Sequence, residues 1–402
     1  MRRNSTRPLL AAGMAVGLFS LSACGAAGAD AGGAGKSLAD MEPLTLTYSD
    51  LTSSTSNAGK TVQQWIDGLD EQSQGKLVVE PYFSSSLLNS ADALAGTGSG
   101  VSDITYTVVT YKPQALPVAN WINEEGFLPV DSYPHNQLQT VGVMNEMFST
   151  EAVEKEFESQ NVKFLTSTSV AGKYDLLCNK ELKSQTDLSG LRVRAPGPVW
   201  AAEAEALGMT VVSVAQNEAY EALQRGVIDC QIGAPFMYED YGLSEVAKEY
   251  YPATFSANMG LVMLMNLDTW NGLAGEAQQV LQKSMEDLAK NRTQADIKAQ
   301  QVFFDRRDEL GITTHDVTEM NQVLSEFQKK RSDTWVERAP SSVEDPQGQA
   351  DALNSAMESW AKALEKDVPL VESGKVASTD IEDFPTWQAK LTEIFDARIA
   401  RP

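Results

Sequence analysis

From Asp187 onward the chain reads Asp187-Leu188-Ser189-Gly190-Leu191-Arg192-Val193-Arg194-Ala195-Pro196-Gly197-Pro198, two guanidiniums on a stretch with strand periodicity followed by a helix start. Side chains alternate across a strand, so Arg192 and Arg194 share one face, opposite Leu191, Val193 and Ala195. Pro198 suits a first helical turn, where a missing N–H costs nothing, and the positive end of the helix dipole favours an anion. Arg194 therefore belongs at the carboxyl end of a strand beside a helix N-terminus, where α/β sheets accept ligands. A planar guanidinium can grip both oxygens of a carboxylate, a fork that lysine does not offer. Taken alone, these residues leave two readings open: an anion site, or two solvent-facing strand arginines.

Competing chemistry is thinly supplied. The two histidines, His135 and His315, stand far apart in the sequence. They offer little to a metal cluster or a Ser-His-Asp triad, and each reads as a surface or capping group. Gly96-Thr97-Gly98-Ser99-Gly100 fits neither GxSxG, nor GxGxxG, nor a phosphate loop, and reads as a turn. Glu124-Glu125 and Glu239-Asp240 read as solvated faces rather than paired catalytic carboxylates. No enzyme activity, metal or cofactor is expected.

The elements around Arg194 alternate between strand and helix. Leu44–Tyr48, Lys76–Tyr82 and Ser102–Val109 read as strands, with helices over Lys60–Gln72 and Ala91–Leu94. The rhythm returns after Phe164, with strands near Leu176, Leu191–Ala195, Val211–Val214 and Val227–Ile232 and helices over Val199–Leu207 and Glu218–Gln224. Alternation of this kind makes mixed or parallel sheets with helices on their faces, and two such runs imply two sheets with a cleft between. Ala277–Leu310 reads as one long helix, followed by helices near Glu319–Arg338, Asp351–Glu365 and Phe384–Ile399. A helix of ~30 residues is about 45 Å long, enough to brace both halves.

At the N-terminus, Arg2, Arg3 and Arg7 precede an apolar run, Leu9–Leu21, that is too short to span a bilayer, which predicts a signal peptide over 1–23. Leu21-Ser22-Ala23-Cys24 resembles the lipobox of bacterial lipoproteins, so Cys24 is the expected lipid anchor. The Gly/Ala-rich residues 24–42 read as a tether with a reach of about 20–25 Å. The net charge of −23 becomes −26 without the three leader arginines (−23 − 3), which argues against nucleic acid or an anionic lipid surface as partner. An anionic ligand is still compatible, because a recessed arginine dominates its own pocket beyond a Debye length of about 8 Å. Cys178 and Cys230 either pair, as exported cysteines do, or sit as two buried thiols in neighbouring strands.

The order and spacing of several blocks resemble the extracytoplasmic solute receptors of tripartite ATP-independent (TRAP) transporters, the dicarboxylate-binding-protein family. The blocks are Gly75-Lys76-Leu77, Gly100-Val101-Ser102-Asp103-Ile104, Gly190 to Pro196, Ala206-Leu207-Gly208-Met209, Glu218 to Asp229, and Asn266 to Trp270, and the likeness covers Leu44 to Leu310. It implies a two-lobe α/β periplasmic-binding-protein-like fold with mixed sheets, a long lobe-bridging helix and a helical C-terminus. Residues 43–166 plus about 255–300 would form lobe I, and 167–254 plus about 301–402 lobe II with the C-terminal helices. The resemblance further implies capture of a small organic acid and its delivery to a small and a large membrane subunit driven by an ion gradient. Arg194 matches the family's carboxylate-binding arginine, while Arg192 falls where members vary. Gly233 replaces a common helper asparagine, Gln216 stands where an aromatic is frequent, and Tyr174, next to Lys173, replaces a second arginine, which points to an altered pocket. From the first lobe Ser54 is expected at the cleft, and Tyr106, Trp121, Phe236 and Tyr238 are candidate linings. The alternatives are a lipoprotein serving an ATP-driven importer and, less in keeping with the residues, a surface-anchored enzyme.

Overall fold

In the computed structural model, residues 37–168, 171–371 and 383–400 are described. The signal peptide, Cys24 and most of the tether lie outside these residues. From Ser37 onward the chain is held: residues 38–40 form a short helical turn, Leu38 is buried, and its N–H donates to Glu276 Oε2 at 2.7 Å. This shortens the tether read from the sequence.

Among the described residues, eleven strands form two sheets. The first contains β1 (Leu44–Asp50), β2 (Leu77–Tyr82), β3 (Ile104–Val108), β4 (Val162–Thr168) and β10 (Leu261–Asn266), in the order β2-β1-β3-β10-β4. The second contains β5 (Tyr174–Cys178), β6 (Arg192–Arg194), β7 (Thr210–Val212), β8 (Cys230–Gly233), β9 (Glu249–Phe255) and β11 (Thr313–Thr314), ordered β11-β9-β5-β8-β6-β7. Both are mixed, since β10 runs antiparallel to β3 and β4, and β5 antiparallel to β8 and β9. The chain crosses between the sheets three times, after β4, after β9 and after β10. The second crossing is clamped from both sides: Glu203 accepts from the Ser256 hydroxyl at 2.6 Å, while Asn123 Oδ1 accepts from the Met259 N–H at 2.9 Å.

Hydrophobic spacing explains the outer helices. In Asn57–Gln72, Val62, Trp65, Ile66 and Leu69 recur at helical spacing and are buried, and Ser56 caps the start by accepting from Gly59 N. The long helix spans Gly275–Arg306 and packs on Asn57–Gln72 and β4 as well as on helix Pro235–Asp240, which follows β8 of the second sheet. At 32 residues it is about 48 Å long.

Several expectations are corrected. Ala93–Gly98 is helical, so the Gly96–Gly100 turn begins later than read. His135 is buried at the start of helix His135–Met147, and Glu125 is buried with its carboxylate accepting from Ser332 at 2.7 Å. The C-terminal helices Pro346–Leu364 and Pro385–Ile399 pack on His135–Met147, which itself packs on β4. They therefore adjoin the first sheet rather than the second lobe with which the sequence grouped them. Gly142 permits this docking, because a Cβ there would lie 2.4 Å from the Trp360 ring. Cys178 and Cys230 face each other across β5 and β8, with Cα atoms 4.1 Å apart, and form a disulfide.

Candidate functional site

Arg194 ends β6, and Gly197 and Pro198 open helix Pro198–Ala206 directly after it. Its side chain is 3% exposed, whereas the side chain of Arg192, two residues earlier on the same face, is 44% exposed. The difference lies in what covers each. Arg192 closes a bidentate pair with Asp229 at 3.1 and 3.0 Å on the open side of the sheet. Arg194 is roofed by the first lobe and donates from Nε to the Val214 carbonyl at 3.3 Å. Among the described residues no carboxylate pairs with it. Burial pushes its guanidinium below the ordinary value, and the phenols of Tyr111, Tyr174 and Tyr241 counter that push.

The space before Arg194 is a cavity of about 70 Å³ between the sheets. Its walls come from both lobes: Thr52, Ser56 and Tyr106 from the first, and Tyr174, Gln216 and Phe236 from the second. Arg194 also borders a wider outer cleft of about 420 Å³, together with Tyr111, Gln216 and Tyr241. The guanidinium thus stands in the partition between an enclosed chamber and an opening. At that opening Gly197 lies against Thr110 of the opposite lobe, and a Cβ on it would come within 3.0 Å of Thr110 Cβ.

Of the residues selected from the sequence, Arg194, Tyr174, Gln216, Phe236 and Tyr106 come together in this cavity. Tyr174 stacks on Trp200 at 5.4 Å, and its hydroxyl accepts from Asn258 at 3.3 Å. Gln216 Oε1 accepts from Gln231 Nε2 at 3.1 Å, and the Tyr106 hydroxyl meets that of Thr168 at 3.1 Å. Five others do not join them. Ser54 is exposed in a turn whose Ser53 and Thr55 hydroxyls bond each other at 2.9 Å, and Ser56 faces inward in its place. Gly233 is buried under Gln231 and Met237, with its carbonyl accepting from Tyr238 at 3.2 Å. Lys173 lines neither the cavity nor the cleft; burial lowers it, and Asp131 and Glu203 counter that. Trp121 stacks on Trp335 at 4.2 Å and Tyr238 packs on Tyr250 and Phe303, both in the core.

Sequence reasoning missed Arg292 and Asp240. Arg292 reaches the cavity from the middle of the long helix, is 2% exposed, and donates from Nε to Asp296 at 2.9 Å. Its guanidinium carbon lies 5.3 Å from the Tyr106 ring centroid. Burial alone would lower Arg292, but Asp296, Tyr106 and Asp50 together, with the hydrogen bond to Asp296, outweigh it and hold the guanidinium above its usual range. A signal was present: Met285, Leu288 and Ala289 form a buried stripe that Arg292 continues, with an acid one turn later. Asp240, read as a solvated surface residue, lines the cavity and accepts from the Asn57 amide at 3.5 Å across the lobes.

The residues 48–339 match the model of the family described as "Bacterial extracellular solute-binding protein, family 7". A monocarboxylate 2-oxoacid-binding periplasmic protein of Nostoc is 27% identical over 215 residues, 52% of this chain and 56% of that protein. The chain therefore spans little more than half of that relative. An extracytoplasmic solute receptor of Bordetella pertussis binding pyroglutamic acid superposes with a TM-score of 0.67 at 17% identity, covering 77% of this chain and 99% of that one. A TRAP periplasmic solute-binding protein of Sulfitobacter with bound β-D-galacturonate gives a TM-score of 0.62 at 17% identity, covering 78% and 100%. These structures share the two-lobe fold. With a family model matched over most of its length, this chain belongs to the bacterial extracellular solute-binding proteins of family 7.

Proposed function

We propose that this chain is the extracytoplasmic receptor of a TRAP-type secondary transporter. It encloses a small organic acid between its lobes and passes it to the small and large membrane subunits. The observation that carries the reading is Arg194: a buried guanidinium without a carboxylate partner among the described residues, at the wall of an interlobe cavity. An acid entering there supplies the missing charge, and the phenols around it provide a body-binding wall. Relatives named for oxoacid, pyroglutamate and uronate binding are in keeping with this ligand class. The chain is read as a binding protein without catalysis.

Anchoring by a lipid on Cys24 at the outer face of the membrane belongs to the same proposal; loss of palmitate labelling in Cys24→Ser would support it, and retained labelling would remove it. Sheet membership favours a first lobe of about 43–166 with 255–300 and a second of about 167–254, the last two helices joining the first. A thermal-shift screen of small acids tests the function. A ligand at 100 times its dissociation constant stabilises by about 2.7 kcal/mol. A panel of acids that leaves the melting temperature unmoved would argue against the reading.

A further inference from the structure

Arg194 has an amide for a neighbour. β6 and β8 run parallel with Arg194 opposite Gln231, so the two side chains rise side by side from one face of the second sheet, and Gln231 is fully buried. Its Nε2 donates twice, to the Ile232 carbonyl at 2.9 Å and to Gln216 Oε1 at 3.1 Å. Gly233 leaves room for that amide, since a Cβ there would lie 3.3 Å from Gln231 Nε2.

These two bonds decide which end of each amide points where. Turning Gln231 over would set its oxygen against two acceptors, and turning Gln216 over would set two NH2 groups against each other. With Oε1 taken, Nε2 is the free end of Gln216; it is buried and has no hydrogen-bond partner among the described residues. Gln231 Oε1 is also unpartnered there, but Gln231 borders neither the cavity nor the cleft, whereas Gln216 borders both, as Arg194 does. Arg194 and Gln216 are tied locally as well, because Arg194 Nε donates to the carbonyl of Val214, two residues before Gln216. A buried N–H without an acceptor is costly, and at the wall of an acid site the missing acceptor is an oxygen of the ligand.

We propose that Gln216 is a second ligand-binding donor beside Arg194, and that Gln231 is the positioning residue that keeps its NH2 group rather than its oxygen turned to the ligand carboxylate. This inference rests on the cavity being an acid site. An amide oxygen in that place would repel the carboxylate, so the orientation set by Gln231 decides whether position 216 attracts or rejects an acid. A phenyl ring at position 216 would offer no such donor.

Calorimetric titration of the whole protein tests it. Pentanoate, 2-oxopentanoate, pyroglutamate and glutarate are the probes, and the tightest of them is carried into the variants. Gln216→Met should weaken its binding by about 10- to 150-fold, as loss of a hydrogen bond to a charged group does. Gln231→Met should weaken it by a smaller factor and add nothing in the Gln216→Met background, because Gln231 acts only through Gln216. Gln216→Glu supplies a readout that lost packing would not move. Relative to the wild type, its affinity should rise as pH falls from about 8 to 5.5, where the carboxyl regains a proton to donate. Unchanged affinity in Gln216→Met, losses that add in the double variant, or a Gln216→Glu profile parallel to the wild type would each overturn the proposal. Gln231→Asn, too short to reach Gln216, is a second variant with the same expectation as Gln231→Met, and the Gln216 variants decide even where neither folds. Failure of this inference alone leaves acid binding that Arg194→Ala abolishes. Absence of binding by all four probes overturns the acid reading and this inference together.

Discussion

Gly197 sits where the two lobes meet, and replacing it with valine should hold them apart. Its backbone is extended, with φ of 170°, so a side chain is conformationally allowed and the obstacle is contact alone. A Cβ would lie 3.0 Å from Thr110 Cβ, 3.1 Å from Thr110 Oγ1 and 3.2 Å from Trp200 Cζ3, each a few tenths of an ångström too close. Alanine asks for a small adjustment; the two further methyls of valine have no room. Overpacking of this kind costs about 1–3 kcal/mol. Because the Thr110 contact exists only when the lobes are together, that part of the cost falls on the closed state. A bias of that size lowers the closed population by about 5- to 150-fold and weakens apparent ligand affinity by the same factor. Titration calorimetry with the best acid from the screen reads the affinity, and small-angle scattering reads contraction on ligand addition. Thr110→Gly in the Gly197→Val background should restore part of the loss, which separates the interlobe contact from crowding of Trp200. Wild-type affinity and full contraction in Gly197→Val would refute the idea that this contact belongs to closure.

Stability should also respond to three other features. Removing the Cys178–Cys230 bridge, which spans 52 residues, should lower unfolding free energy by up to about 4 kcal/mol and shift the urea midpoint down; an unchanged midpoint would contradict this. Burial raises both Glu125 and Glu156 to about 7. Between about pH 4.5 and 7 the folded chain therefore holds protons that the unfolded chain has released, so stability falls as pH rises across that window, by on the order of 1–3 kcal/mol per group. Melting temperatures should drop from pH 5.5 to 8, less steeply in Glu125→Gln and Glu156→Gln; a rise would contradict the account. Trp335→Ala breaks the ring stack at 4.2 Å and the reciprocal indole-to-carbonyl hydrogen bonds with Trp121, and should cost about 3–5 kcal/mol in denaturant unfolding, with a loss below 1 arguing against it.

Alternation and helical spacing were legible wherever one face of an element meets solvent. Asn57–Gln72 and the long helix announce themselves that way, and the segment Asp187 to Pro198 gives strand, anchor and helix start within a single run. Elements buried on all sides were not legible. Helix His135–Met147 is buried almost all round, including Gln137, Gln139, Thr140 and Asn145, so it carries no polar face. Several of its polar groups are met by hydrogen bonds no periodicity reveals, such as Gln139 Nε2 to the Met357 carbonyl at 2.8 Å. Strand β10, Leu261–Asn266, is a continuous buried run, and such a run does not tell strand from helix. The same logic holds for the site. Arg194 is marked by local chemistry, whereas Arg292 enters the cavity only because a distant helix is packed there. Ser54 and Ser56 sit two residues apart, and which one faces inward is fixed by the cap on the first helix rather than by residue type.

The account turns on the Arg194 guanidinium, and one titration addresses it. The acid that raises the melting temperature most is titrated by calorimetry into the wild-type protein and into Arg194→Ala. Leaving a buried carboxylate without its partner should cost about 2–5 kcal/mol, a loss of roughly 30- to 5,000-fold in affinity. Equal affinity of the two proteins would contradict the assignment of this cavity as the acid site.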